Sequence, residues 1–177
     1  MKGDILQAER EYLAQLLEAI QRCTYFLDAS DRNVPWPLNG EGLEERKKDE
    51  DLFESLAAIN ERFAKLQDTL GAAMRHAALL LGESTDNFLK VLTVYEKAGV
   101  IESIETWQRC RTGRNLAAHD YETNYVVIAE HFNSLHDLQD MLYQTAGRFI
   151  THCSDSLGIS PTSADFSGEF ANIVSGT

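Results

Sequence analysis

The sequence predicts an all-α protein, an antiparallel bundle of four or five helices. Apolar residues recur in steps of three and four along most of the chain, which is the periodicity of an amphipathic helix. Only three prolines occur, and two of them fall in the short stretch "VPWPLNG". No stretch alternates apolar and polar residues as a half-buried strand does. Short connections between helices make sequential neighbours antiparallel.

The first half of the chain predicts two long helices separated by a loop. The first is expected from Gly3 to Ala29, after which "SDRNVPWPLNGEG" interrupts the pattern with loop-forming residues. We expect Trp36 in this loop to pack against the bundle, and the other interpretation is a partner-binding tip. The second helix is expected from Leu43 to Leu81, with a heptad seam that is typical of near-parallel helix packing.

The second half of the chain predicts three further helices from their capping residues. Ser84 is expected to cap the third helix, and Gly99 to end it. Ser103 is expected to cap the fourth helix, and Thr123 the fifth, which should end near Gly158. No internal repeat is visible.

The length of 177 residues suits one domain that buries a sizeable core. We expect residues 1–156 to form the helical bundle, with a loop or insert at about residues 31–50. The remaining residues 157–177 are polar and small, and they predict a C-terminal tail that is flexible or loosely docked.

The bulk composition excludes several classes of protein. A net charge of −12 argues against a generic nucleic-acid binder, so any RNA contact must be local or made with a basic partner. Three widely spaced cysteines without a Cys-x-x-Cys pair, and an N-terminus unlike a signal peptide, predict a cytoplasmic protein with free thiols. No apolar run reaches membrane-spanning length. No two histidines share a helix face, and no phosphate-binding glycine loop occurs, so we predict no metal and no cofactor.

One basic window stands out in this acidic chain. Arg109, Arg111 and Arg114 lie within six residues, and no acidic residue occurs between Thr106 and His119. Four residues separate Arg114 from His119, and Tyr121 follows after one more. On a regular helix Arg114 and Tyr121 would share a face, with His119 about 140° away. The three side chains therefore converge only if the helix ends or bends near residue 118, or if two copies meet around a shared cleft.

These three residue types suit cleavage of RNA without a metal ion. A guanidinium holds a phosphate through paired hydrogen bonds, an imidazole moves protons near neutral pH, and a phenol orients either group. The alternative interpretation is structural: a capped helix end, with His119 bonded to a carbonyl and the arginines in salt bridges.

The stretch "RNLAAHDY", Arg114 to Tyr121, resembles the R-x4-6-H-x-Y motif of the HEPN superfamily, and it is most similar to the HepT-like, nucleotidyltransferase-associated branch. Asn115 and Asp120 are also typical of that branch. The resemblance implies a four- or five-helix bundle that forms a homodimer, and a toxin that acts as a metal-independent endoribonuclease. It assigns Arg114 to the phosphate, His119 to proton transfer and Tyr121 to orienting both. It also implies a small minimal nucleotidyltransferase as the antitoxin, which adenylylates Tyr121.

We further expect Arg109, Arg111 and Asn115 to contribute to RNA binding. Two other hypotheses stay open. In one, the chain is a non-catalytic, substrate-binding or antitoxin-like subunit of a small nucleotidyltransferase, which fits its negative charge. In the other, it is a helical interaction protein whose motif is only structural.

Overall fold

The computed structural model describes residues 2–117 and 123–176, and all regular secondary structure within these two ranges is helical. The helices of the described residues are α1 (Lys2–Asp31), α2 (Gly40–Glu45), α3 (Glu50–Leu80), α4 (Phe88–Lys97), α5 (Ile104–Ala117), α6 (Tyr125–Leu157) and α7 (Ser167–Ser175). The prediction of an all-α helical bundle is confirmed. The bundle consists of α1, α3, α5 and α6, and the short helices α2, α4 and α7 pack around it.

Three pairs of bundle helices run antiparallel: α1 with α3, α1 with α6, and α5 with α6. In each pair, residues early in one helix contact residues late in the other. The contacts that show this are Glu9–His76 and Ser30–Arg62 for α1 and α3, Arg10–Leu157 and Asp31–His136 for α1 and α6, and Cys110–Met141 and Gly113–Leu138 for α5 and α6. The bundle therefore has an up-down-up-down arrangement, and the end of α5 lies at the same end of the bundle as the start of α6.

The core follows the heptad seam predicted for the second long helix. Along α3 the seam residues from Leu52 to Ala77 are all buried, and only the last of them, Leu80, is partly exposed. The facing side of α6 contributes Phe149, which packs edge-on against Tyr95 of α4. Each fully buried large apolar side chain contributes about 1.5–3 kcal/mol relative to an exposed one, so this seam holds the bundle together.

Three predicted helix starts were wrong by a few residues. The long helix α3 begins at Glu50 rather than Leu43, because Asp49 is extended and its carboxylate accepts a hydrogen bond from the Leu52 N–H at 3.0 Å. Helix α4 is capped by Asn87 rather than Ser84, and α6 by Asn124 rather than Thr123. In each case the capping side chain lies further along the chain and accepts from backbone N–H groups of the first turn.

The predicted helix ends and one predicted cap are confirmed. Gly82, Gly99 and Gly158 each have a positive φ, between 61° and 77°, that favours glycine and stops the preceding helix. At the start of α5 the Ser103 hydroxyl accepts a hydrogen bond from the Thr106 N–H at 3.0 Å.

The connection between α1 and α3, residues 32–49, is docked on α6. Trp36 stacks on His136 with the ring centroids 4.3 Å apart, as expected for a residue that packs against the bundle. The Asn133 side chain bonds both the N–H and the carbonyl of Leu38, each at 2.8 Å. This connection also contains α2, whose Leu43 is buried. It covers the first half of α6, the part of that helix nearest the end of α5.

The residues after Gly158 pack on α1 and α6. The Thr162 N–H donates to the Ala14 carbonyl at 3.2 Å, and Phe170 of α7 is buried. The Gln144 side chain donates to the Val174 carbonyl at 2.6 Å. A groove of about 840 Å³ remains between α6, α7 and the turn at Gly99. None of the described helices has an apolar stretch long enough to cross a membrane.

Candidate functional site

The basic window lies on α5, which packs one face against α3 and α6. Trp107, Cys110 and Gly113 recur in steps of three and are buried, so they form the inward side of the helix. The Trp107 carbonyl accepts a hydrogen bond from the buried Gln67 side chain of α3 at 3.1 Å. This contact fixes the position of α5 along α3 and thereby places the next two turns of α5.

Close packing between α5 and α6 depends on Gly113. A Cβ atom at this position would lie 2.9 Å from Leu138 Cδ1 and 3.7 Å from Leu135 Cδ2. The small residue lets the last part of α5 approach α6 closely. Arg114 follows directly, at the edge of the buried side and turned toward α3.

Arg114 is held by a carboxylate of α3. Its Nη1 lies 2.5 Å from Asp68 Oδ1, and its Nη2 lies 3.1 Å from Asp68 Oδ2, so the two planar groups meet edge to edge. The Arg114 side chain is 21% exposed and the Asp68 side chain is 64% exposed. Nη1 also lies 3.5 Å from the Ala64 carbonyl oxygen. The guanidinium therefore sits in a shallow recess between two helices, with its anion-binding edge already facing two oxygens.

The other two arginines of the window are exposed, and neither forms an ion pair with the described residues. Arg111 precedes Arg114 by one helical turn, so both lie on neighbouring positions of one face. Arg109 lies about 140° around the helix from Arg114. Asn115 follows Arg114 within α5, and its side chain lies outside the described part of the structure. The RNA-binding roles of these residues stay predictions.

His119 and Tyr121, which the sequence predicts as the proton-transfer and orienting residues, lie outside the described residues. On one side of them α5 is described to Ala117, and on the other α6 begins at Tyr125. Because α5 and α6 are antiparallel, both flanks lie at one end of the bundle. The convergence of His119 and Tyr121 with Arg114 therefore stays a prediction.

Two features near the candidate site were not predicted from the sequence. The first is Asp68, which lies 46 residues before Arg114 and belongs to an ordinary exposed position of a heptad helix. The second is the contact of Gly40 with the start of α6, where a Cβ at Gly40 would lie 2.6 Å from Val126 Cγ2. Neither has a local sequence signal, since each depends on how helices pack.

The histidines of the described residues have structural partners or apolar surroundings. His76 Nε2 lies 2.9 Å from the Glu9 carbonyl oxygen and 3.1 Å from the Glu9 carboxylate. His136 Nδ1 lies 2.8 Å from Asp31 Oδ1. Burial lowers the pKa of His131. Within the two described ranges, no three His, Cys, Asp or Glu side chains come together as a metal site would require.

The three thiols are unreactive in character. Burial raises the pKa of Cys110 to about 11 and that of Cys153 to about 12. Burial also raises the pKa of Cys23, although a hydrogen bond to Thr69 and the charge of Lys65 act in the other direction. A thiol nucleophile must ionise near neutral pH, so these cysteines do not suit covalent catalysis.

Comparisons with protein-family models, with curated proteins and with solved structures found no match for this chain. The all-helical bundle and the arrangement around Arg114 are therefore the observations on which a functional proposal must rest.

Proposed function

We propose that this chain is a metal-independent endoribonuclease of the HepT-like type, and that Arg114 binds the phosphate at the cleaved bond. One observation carries the proposal. The two Nη atoms of Arg114 meet the two oxygens of a carboxylate, 2.5 and 3.1 Å away, in a recess five residues before His119. A phosphate presents a pair of oxygens to a guanidinium in the same geometry.

The reaction proposed for this site needs no metal ion. The 2′-oxygen of a ribose attacks the adjacent phosphorus, and the bond from phosphorus to the 5′-oxygen of the next nucleotide breaks. An imidazole takes the proton from the 2′-hydroxyl, and a proton is returned to the leaving 5′-oxygen. The products are a 2′,3′-cyclic phosphate and a free 5′-hydroxyl. Arg114 stabilises the negative charge that develops on the phosphate, and Tyr121 orients the imidazole or the phosphate.

The proposal includes a homodimer and a minimal nucleotidyltransferase partner. A second copy would supply a second His119, so that one imidazole removes the proton while the other donates one. The partner would inactivate the enzyme by transferring the adenylyl group of ATP to the Tyr121 hydroxyl: the phenol oxygen bonds the α-phosphorus, pyrophosphate leaves and the phenol proton is released. Co-expression with such a partner is expected to increase the mass of the chain by one adenylyl group, and Tyr121→Phe should abolish that increase.

A substitution series tests the assignment of residues. Purified wild-type protein in EDTA should cleave single-stranded RNA, and His119→Ala should reduce the cleavage rate at least about 100-fold because a proton-transfer group is lost. Arg114→Gln should also reduce it strongly. Arg22→Gln is the matched control, since it removes the same charge from an exposed position on α1, which makes no contact with α5 within the described residues, and it should retain most of the activity. A series in which His119→Ala cleaves as fast as wild type would refute the assignment.

The second candidate function is a non-catalytic subunit of a small nucleotidyltransferase. The net charge of −12 and the occupation of Arg114 by Asp68 favour it. It predicts a stable complex with the transferase and no cleavage by the purified chain. The test is expression of the chain alone in cells. Growth arrest by wild type that is absent with His119→Ala would support the ribonuclease function and argue against the non-catalytic subunit.

A further inference from the structure

The edge of Arg114 that would bind phosphate is already occupied in the free protein. Nη1 and Nη2 each point a donor at one oxygen of Asp68. A guanidinium cannot use the same pair of donors for a carboxylate and for a phosphate at once. Any phosphate that binds Arg114 through both Nη1 and Nη2, as Asp68 does, must therefore first displace Asp68.

We propose that Asp68 is an internal competitor for the RNA phosphate: it occupies Arg114 in the free protein and is released when RNA binds. This inference rests on the proposed function and adds to it a residue on another helix that sets the affinity of the site. Asp68 makes no contact with RNA in the bound state; it acts only through Arg114.

The exposure of the two partners favours displacement. Arg114 is 21% exposed and is held within the recess, whereas Asp68 is 64% exposed on the outer side of α3. The carboxylate can rotate into water without breaking any packing, and ion pairs with an exposed partner contribute only about 0–1 kcal/mol to stability. Arg114 is the less exposed of the two partners, so we expect it to keep its place during the exchange. A phosphodiester carries the same single negative charge as the carboxylate and presents a similar two-oxygen edge.

The competition with Asp68 also favours a ligand that accepts two hydrogen bonds from Arg114 at once. A single weak acceptor, such as a ribose hydroxyl, cannot replace two charge-assisted hydrogen bonds to Asp68. A phosphodiester can, because it offers two oxygens and a negative charge. The chain has a net charge of −12 and therefore repels anions in general. We expect an anion to bind only where it can replace a carboxylate on a guanidinium, as at Arg114.

The test compares Asp68→Asn with Glu61→Gln. Asparagine keeps the shape of Asp68 but lacks the charge, so it competes less well for Arg114. Glu61 is exposed on α3 two turns before Asp68, and its replacement by Gln changes the net charge of the chain by the same amount. Binding is measured with a fluorescent single-stranded RNA carrying 2′-O-methyl groups, which cannot be cleaved by the proposed reaction. Turnover is measured on the unmodified RNA in EDTA, and thermal melting checks that all variants fold.

The expected result is that Asp68→Asn binds the 2′-O-methyl RNA about fivefold more tightly than wild type, while Glu61→Gln changes the affinity less than about twofold. In turnover, Asp68→Asn should lower KM and leave kcat unchanged, because Asp68 is absent from the complex. The inference is also supported if Asp68→Asn binds the 2′-O-methyl RNA with a measurable affinity and wild type binds it too weakly to measure.

The other outcomes overturn it. Equal affinity of wild type and Asp68→Asn, with both cleaving RNA, refutes the competition and leaves the ribonuclease intact. A lower kcat in Asp68→Asn shows that Asp68 positions Arg114 for the reaction instead of competing for it. If neither wild type nor Asp68→Asn binds or cleaves RNA, the proposed function and this inference both fail.

Discussion

Two buried thiols contribute to the loss of stability that we expect at alkaline pH. Cys110 and Cys153 are buried in the core, with pKa values raised to about 11 and about 12. In an unfolded chain a thiol loses its proton near its ordinary pKa of about 8.5. Between these values the unfolded state binds fewer protons than the folded state, so alkaline pH favours unfolding.

Below about pH 8.5 we expect these thiols to leave the free energy of unfolding unchanged as the pH varies. Above that pH, the free energy of unfolding should fall as the pH rises toward the pKa values of the thiols in the folded protein. Each thiol should contribute a slope of up to about 1.4 kcal/mol per pH unit. Urea unfolding at pH 8, 9.5 and 10.5 measures it. Cys110→Ala should show a slope smaller by about that amount. Parallel profiles for the variant and wild type would show that Cys110 does not titrate in this way.

At the residue scale, the sequence identifies some members of the candidate site and misses others for a physical reason. Arg114 stands out because it lies in a basic window of an acidic chain and because its spacing to His119 and Tyr121 is a local pattern. Asp68 has no such pattern, since its partner is on another helix and only the packing of α5 on α3 brings the two together. Its role follows from three-dimensional distances alone.

At the element scale, the docking of α2 against α6 depends on the absence of a side chain at Gly40. A Cβ atom there would lie 2.6 Å from Val126 Cγ2 and 2.9 Å from the Val126 N and Cα atoms. Because two of these are backbone atoms, no side-chain rotation relieves the clash. Either α2 or the first turn of α6 must shift.

We expect Gly40→Ala to destabilise the protein by about 1–3 kcal/mol, as overpacking in well-packed positions does. The control is Gly168→Ala in α7, where an added Cβ meets nothing within 4 Å. That variant should be neutral or slightly stabilising, because alanine favours a helix over glycine. Urea unfolding of both variants decides the matter, and equal stability of Gly40→Ala and wild type would disprove the tight contact.

The presence of the long helices could be predicted from the sequence, whereas the residue at which some helices begin could not. The α3 seam is visible in the sequence because the periodicity of Leu52, Leu56, Ile59 and Phe63 is unbroken. The starts at Asp49, Asn87 and Asn124 were missed because several capping residues compete within a few positions. The ranking of capping residues does not separate Ser84 from Asn87, so tertiary contacts must decide among such candidates. Helix α2 is too short to show any periodicity of its own.

At the scale of the whole molecule, the net charge of −12 limits how RNA can bind. A chain with this charge repels a polyanion, so under the proposed function we expect RNA to bind at the few arginines of α5. For single-stranded nucleic acid, each neutralised phosphate adds about 0.7 to the slope of log Kd against log salt concentration. Three arginines then predict a slope of about 2.

We expect Arg111→Gln to reduce this slope by about 0.7. Arg22→Gln is the matched control, because Arg22 is exposed on α1 and α1 makes no contact with α5 within the described residues. The measurement is the affinity for 2′-O-methyl RNA at several salt concentrations. A slope that Arg111→Gln and Arg22→Gln change equally would place RNA binding elsewhere on the molecule.

We propose above that this chain cleaves RNA by attack of a 2′-hydroxyl without a metal ion. The most direct test is analysis of the ends formed when purified protein and a defined single-stranded RNA are incubated in EDTA. We expect fragments that carry a 2′,3′-cyclic phosphate and a 5′-hydroxyl, and no cleavage at positions where the 2′-hydroxyl is replaced by hydrogen. Intact RNA across varied sequences, or products with a 5′-phosphate, would contradict it.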